Sequence, residues 1–165
     1  MLIEIIKRTP PWVFVLFIVL VALGYYQSRN RTVGQKTIAI LPAVMIVLSL
    51  LGVFSAFGTG VAGLVSWAAG ILFSVGLGIK LNAPRGVTFC IETKSYFVPG
   101  SWVPLALMMG IFFTKYAVGV TLARQLPIVS EPAFVSSISF CYGVFSGFFL
   151  SRAVVVWRSA RLSKI

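Results

Sequence analysis

Five apolar runs alternate with short polar connectors along the chain, at about 10–28, 38–57, 61–79, 102–123 and 133–156. Each is near the roughly 20 residues that an α-helix needs to cross the hydrocarbon core of a bilayer. The pattern predicts an all-α integral membrane protein, a single domain built as a bundle of five transmembrane helices. In the first run, Thr9 is a candidate N-cap and Pro10 and Pro11 suit a first turn, where no amide donor is needed. Pro42 lies near the start of the second run, where it can kink the helix mildly. The segment "FGTGVAG" reads as a tight, glycine-rich turn and predicts that spans two and three form an antiparallel hairpin. In the fourth run Pro99-Gly100 turns the chain, Ser101 is a candidate cap, and Trp12 and Trp102 suit the headgroup level. Before the fifth, Ser130 or Glu131 can cap and Pro132 fits the first turn.

The connector "QSRNRTVGQK" reads as polar loop, and "MLIEIIKR" as too short to span. The longest polar segment, 80–101, is different. Val87, Phe89 and Ile91 alternate with Thr88, Cys90 and Glu92, then "ETKS" offers a turn before "YFV". A short β-hairpin on the membrane surface and an irregular loop both fit this stretch.

Composition agrees with the pattern. Hydrophobic residues make up 59% of the 165 and charged residues 10%, against roughly 25% charged in a soluble domain. The net charge of +11 does not point to nucleic acid, because the basic residues gather at the ends of apolar runs, where headgroups and the positive-inside rule account for them. Lys7, Arg8 and Arg124 fall on one side of a five-span chain. Arg29, Arg31, Lys36, Lys80, Arg85, Lys94, Arg152, Arg158, Arg161 and Lys164 fall on the other. This imbalance predicts an outside N-terminus and a cytoplasmic C-terminus. The first run lacks a good small-x-small cleavage site, so it is read as a retained helix.

Helices in lipid associate through close backbone approach and polar contacts, since the tails are as apolar as leucine. Ser66, Gly70, Ser74 and Gly78 are four apart in span three, as are Ser139, Gly143, Gly147 and Ser151 in span five. Either row can serve a homo-oligomer or membrane partner, or packing within one chain.

One residue conflicts with its surroundings. Lys115 lies about 20 Å along span four from Trp102 and about 12 Å from Ala123, at 1.5 Å per residue. A lysine at the bilayer centre costs about 2.5–3.5 kcal/mol on insertion scales. Its side chain tilts toward the helix N-terminus, away from the nearer exit, so it is expected to face protein or a wet cavity. Glu131 is the nearest acid on that side, and Ser49, Ser139 and Tyr142 lie near its depth and could offer oxygens. The alternatives are a site for protons or an anionic solute and a lysine that only fixes helix packing.

Catalytic chemistry has little to work with. The chain has no histidine and only Glu4, Glu92 and Glu131 as acids, so a nucleophile lacks an evident base. A Ser139–Lys115 dyad is the one formal option, and no motif supports it. Cys90 and Cys141 form no CxxC pair, and no metal or other cofactor is expected.

The stretches "RTPPW" and "PGSWVPLALMMGIFFTKY" resemble those of a family of small, uncharacterised bacterial membrane proteins carrying a domain of unknown function. The resemblance implies five spans over most of the chain and a bacterial inner-membrane location, with no known activity or site. Two readings follow: a non-enzymatic protein that acts by helix packing with itself or a membrane partner, and a small transporter or channel centred on Lys115.

Overall fold

The structure, a computed structural model, describes residues 10–81, 86–90 and 95–162, without the side chains of Trp12, Gln35, Lys36 and residues 159–162. The expectations for residues 1–8, Thr9 as a cap, the depth of Trp12 and most of the "ETKS" turn lie outside the described residues. The elements are helix α1 (Pro11–Ser28), strand β1 (Arg31–Gly34), helices α2 (Gln35–Phe57) and α3 (Val61–Lys80), strands β2 (Thr88–Cys90) and β3 (Ser95–Val98), helix α4 (Val103–Ala123), a 3-10 turn (Pro127–Ser130) and helix α5 (Pro132–Leu162). The chain is an all-α membrane-type bundle with a small sheet at one end. Helices α2, α3, α4 and α5 are each long and apolar enough to cross a membrane, and the described apolar stretch of α1, Val13–Ser28, is shorter.

The distribution of side chains is that of a protein whose solvent is lipid. Ile18, Val61, Val65, Leu72 and Phe113 are exposed, whereas Ser74, Ser139, Ser146 and Ser151 are buried. Water would drive the large apolar groups inward, but lipid gives no such drive, and small residues win the interior because they let backbones approach.

That approach is closest between α3 and α5, the most extensive helix pair. A methyl group at Gly70 would overlap the Phe140 carbonyl, one at Gly143 the Trp67 carbonyl, and one at Gly147 the Ser74 hydroxyl. Gly78 stands against Ser151 in the same way. Both predicted rows therefore face each other inside the chain. Ser66 is only half-buried, and Gly63 extends the buried row instead, packed near Ser139 and Val53. The serines return their protons to their own helices: Ser74 Oγ donates to the Gly70 carbonyl (3.0 Å) and Ser151 Oγ to that of Phe148 (2.8 Å).

Helix α2 packs on α5 and meets α3 only lightly, although the turn at Gly58–Gly60 joins α2 to α3. Gly58, at φ 71°, closes α2 in a conformation that suits glycine. The predicted hairpin of spans two and three is therefore only lightly packed, because both helices take α5 as their main partner. Trp67 Nε1 donates to Ser49 Oγ (3.0 Å), and Ser146 Oγ to the Met45 carbonyl (3.4 Å), tying α2 to both neighbours. Helix α1 packs instead on α4, through Phe17 against Phe112 (5.2 Å between rings) and Tyr25 against Trp102 (6.4 Å).

At one end a three-stranded antiparallel sheet runs in the order β1-β3-β2. β2 and β3 occupy the segment expected to hold a hairpin. β1 comes from the connector that reads as polar loop, pairing Arg31 with Val98 and Gly34 with Ser95. Tyr96 and Val98 are buried against Val156 of α5, with Val33, Ile38, Val87 and Phe89 around them. Burial raises the Tyr96 pKa above its ordinary value. The 99–101 segment then clamps the end of α1: the Gly100 amide donates to Asn30 Oδ1 (2.8 Å) and the Ser101 amide to the Gln27 carbonyl (3.3 Å). Ser101 Oγ also accepts from the Val103 amide (3.3 Å) at the start of α4.

Gly143→Ala is expected to destabilise the protein by about 1–3 kcal/mol, as overpacking of a tight contact does. Gly76→Ala, where a methyl group meets nothing within 4 Å, is expected to be neutral or slightly stabilising from helix propensity. Thermal unfolding of the two variants in detergent tests the assignment, and equal stability would contradict it.

Candidate functional site

The clamp holds α1 and α4 to the rest of the chain at the sheet end. Toward the opposite end the α1–α4 pair separates from α2 and α5. The separation leaves a cleft of about 870 Å³, within the ~300–1,000 Å³ common for small-molecule pockets. Val13, Leu16 and Leu20 of α1 line one wall, and Met45, Leu48 and Ser49 of α2 with Tyr142, Phe145 and Ser146 of α5 line the other. Helix α4 contributes Met108, Ile111, Phe112, Lys115, Tyr116, Gly119, Val120, Ala123 and Arg124, which recur at intervals of three and four as one face of a helix must. Gly110 against the Phe145 ring keeps α4 on α5 at the closed end.

Lys115 stands on the cleft wall and is exposed there. Its Nζ donates to the Leu48 carbonyl across the cleft (3.4 Å) and lies 5.7 Å from the centre of the Tyr142 ring. A cation over a ring contributes about 0.5–2 kcal/mol, depending on desolvation, which offsets part of the insertion cost. Gly52 leaves the ammonium room, since a methyl group there would lie a tight 3.0 Å from Nζ. The Leu48 carbonyl can accept because each carbonyl oxygen has a second lone pair beyond its helical bond.

The residues expected near Lys115 divide. Tyr142 and Ser49 line the cleft with it, and the Ser49 hydroxyl is engaged, accepting from Trp67 and donating to the Ile46 carbonyl (3.0 Å). Ser139 faces α3 near Gly63, fully buried, and its hydroxyl has no hydrogen-bond partner among the described residues. It therefore makes no dyad bond with Lys115. Glu131 is exposed at the start of α5, outside the cleft lining, and no ion pair joins it to Lys115 among the described residues. Helices α4 and α5 touch only lightly, because α4 takes α1 as its main partner, and so Glu131 is not carried toward the lysine.

Sequence reasoning missed Arg124, Gly52 and Ser146. Arg124 reads as a loop charge, yet it ends α4 on the cleft side and gives the mouth a second cation. The three-four spacing from Lys115 through Gly119, Val120 and Ala123 carried that signal. Cleft chemistry is thus apolar walls, a cation at half depth, another at the mouth, and no carboxylate in the lining among the described residues. Such a site stabilises negative charge that arrives with an apolar body.

A model of a family of unknown function (DUF6622) matches residues 1–164. No curated protein and no solved structure matches the chain.

In a Cys90→Ser, Cys141→Ser background, Lys115→Cys is expected to react with a water-soluble thiosulfonate at least about tenfold faster than Ala117→Cys. Ala117 is exposed at similar depth but absent from the cleft lining, and thiol reactivity follows access to water. Equal rates would mean that the cleft is not wetted.

Proposed function

The chain belongs to the DUF6622 family of unknown function, and we propose that it is a non-enzymatic membrane protein that binds, and moves across the bilayer, an anion with an apolar body. One observation carries the reading: Lys115 projects into an apolar cleft that has no carboxylate in its lining among the described residues. An ionisable residue inside a membrane marks a pathway or a site when it faces a cavity rather than a partner. Arg124 at the mouth adds a field that concentrates anions before they reach Lys115. The alternative, action through self-association on the small-residue rows, loses its motivation, because Gly70, Ser74, Gly78, Gly143, Gly147 and Ser151 are spent on the α3–α5 contact.

The same proposal includes five spans in a bacterial inner membrane, with the N-terminus outside and the C-terminus in the cytoplasm. The contacts of Phe17 on α4 and of Tyr25 on its N-cap Trp102 support α1 as a span, since they run the helix beside a partner of full length. The excess of Lys and Arg at the sheet end supports the orientation. The cleft mouth then opens to the outside.

Naphthalene-1-sulfonate is a suitable probe, being permanently charged and apolar in body. Proteoliposomes are expected to take it up, and Lys115→Met to lower uptake at least about tenfold, the loss of one charge-assisted contact. Arg124→Gln is expected to slow uptake mainly at low salt, as loss of steering does. Uptake equal in wild type and a folded Lys115→Met variant would remove the lysine from the pathway.

A further inference from the structure

A second basic cluster lies at the sheet end, distant from the cleft. Docking of β3 on α5 seats Val98 and Tyr96 against Val156. Arg152 is one helical turn before Val156, and Arg31 on β1 is the cross-strand partner of Val98. The two guanidinium groups are thereby brought within Coulombic reach of each other, and both are half-buried. Arg31 Nη2 donates to Gln27 Oε1 (3.1 Å), while Arg31 Nε is buried with no hydrogen-bond partner among the described residues. Burial, partly offset by nearby Tyr26, lowers the Arg31 pKa from its ordinary value. Arginine nevertheless stays charged in proteins, so the repulsion cannot be relieved by losing a proton.

Among the described residues no acid stands beside this pair. Glu131 is at the opposite end of α5. Glu92 lies outside the described residues, in the connection between β2 and β3. That connection meets β3 at Ser95, three residues or about 10 Å from Val98 at strand spacing. By depth the pair is interfacial: Arg152 is 20 positions beyond Pro132, about 30 Å along α5, which is the thickness of the hydrocarbon core.

We propose that Arg31 and Arg152 together form a phosphate-binding site at the membrane interface, filled by a lipid phosphodiester or by free phosphate. The planar guanidinium fork matches phosphate oxygens in pairs. An unused Nε donor beside a second guanidinium is the arrangement that such an oxygen completes. The site ties β1 to α5 through the bound anion, and it is independent of the cleft.

The test uses the full chain in phosphatidylcholine nanodiscs, with phosphatidylglycerol or inorganic phosphate added. Phosphatidylglycerol is expected to raise the unfolding temperature and to remain bound in native mass spectra, as a ligand of the folded state does. Arg31→Gln and Arg152→Gln are each expected to cut that retention about fivefold or more, whereas Arg29→Gln, whose guanidinium sits on Tyr25 (5.1 Å), leaves it unchanged. Stabilisation by inorganic phosphate alone assigns the same site to a soluble anion. Should a Gln variant fail to fold, the Lys variant at that position keeps the charge and is expected to retain partial binding. No stabilisation of the wild type by either probe, or equal retention by the Gln variants, would overturn the proposal. So would a Glu92→Gln variant that loses stability as the arginine variants do, because Glu92 would then be the counter-charge.

Discussion

Everything in this fold depends on how closely α3 and α5 can approach. Lipid withholds the hydrophobic drive that assembles a water-soluble core, so contact must come from backbone surfaces meeting over glycine and serine. Gly70, Gly143 and Gly147 leave no room even for a methyl group. Ser74 and Ser151 satisfy their hydroxyls within their own helices, whereas Ser139 stands in the same contact with its hydroxyl unpartnered among the described residues. With that pair fixed, α2 is placed by α5, and the α1–α4 pair is left to join from the side. The cleft follows from this hierarchy: it is the space left where the second pair meets the first only at one end.

The cleft in turn explains how a lysine is kept at half depth. Its compensation is distributed over a carbonyl on α2, a ring on α5 and a glycine that leaves space. None of these is an ion pair, so the charge remains available to a visiting anion. A buried carboxylate partner would stabilise the lysine better, but it would also quench the field on which the proposed binding of an anion rests. Arg124 works in the same direction at the mouth.

The five helices were legible because apolar runs and basic ends are local properties of the chain. The facing rows in α3 and α5 were legible as rows, and their partners were not, since spacing within one helix does not say which helix it meets. β1 was hidden for a related reason. Arg31-Thr32-Val33-Gly34 has one apolar side chain and no alternation, and it becomes a strand only through pairing with Ser95–Val98 far along the sequence. The environment of Lys115 was half legible. Tyr142 and Ser49 were found by depth, but the hydrogen-bond acceptor is the Leu48 carbonyl, a group that every residue possesses and no sequence pattern marks. Ser139 and Glu131 matched by depth or side and missed by direction, because depth along a helix carries no information on which way a neighbouring helix is turned.

β1 ends at Gly34 and α2 begins at Gln35, with no linker between them. Leu48 is 13 positions beyond Gln35, about 20 Å along the same helix. The water-side strand and the cleft wall that holds the lysine are therefore two ends of one rod. Its one mechanical weak point is Pro42, where an internal hydrogen bond is missing. The strand and the carbonyl under Lys115 are thus joined by one helix, with Pro42 between them.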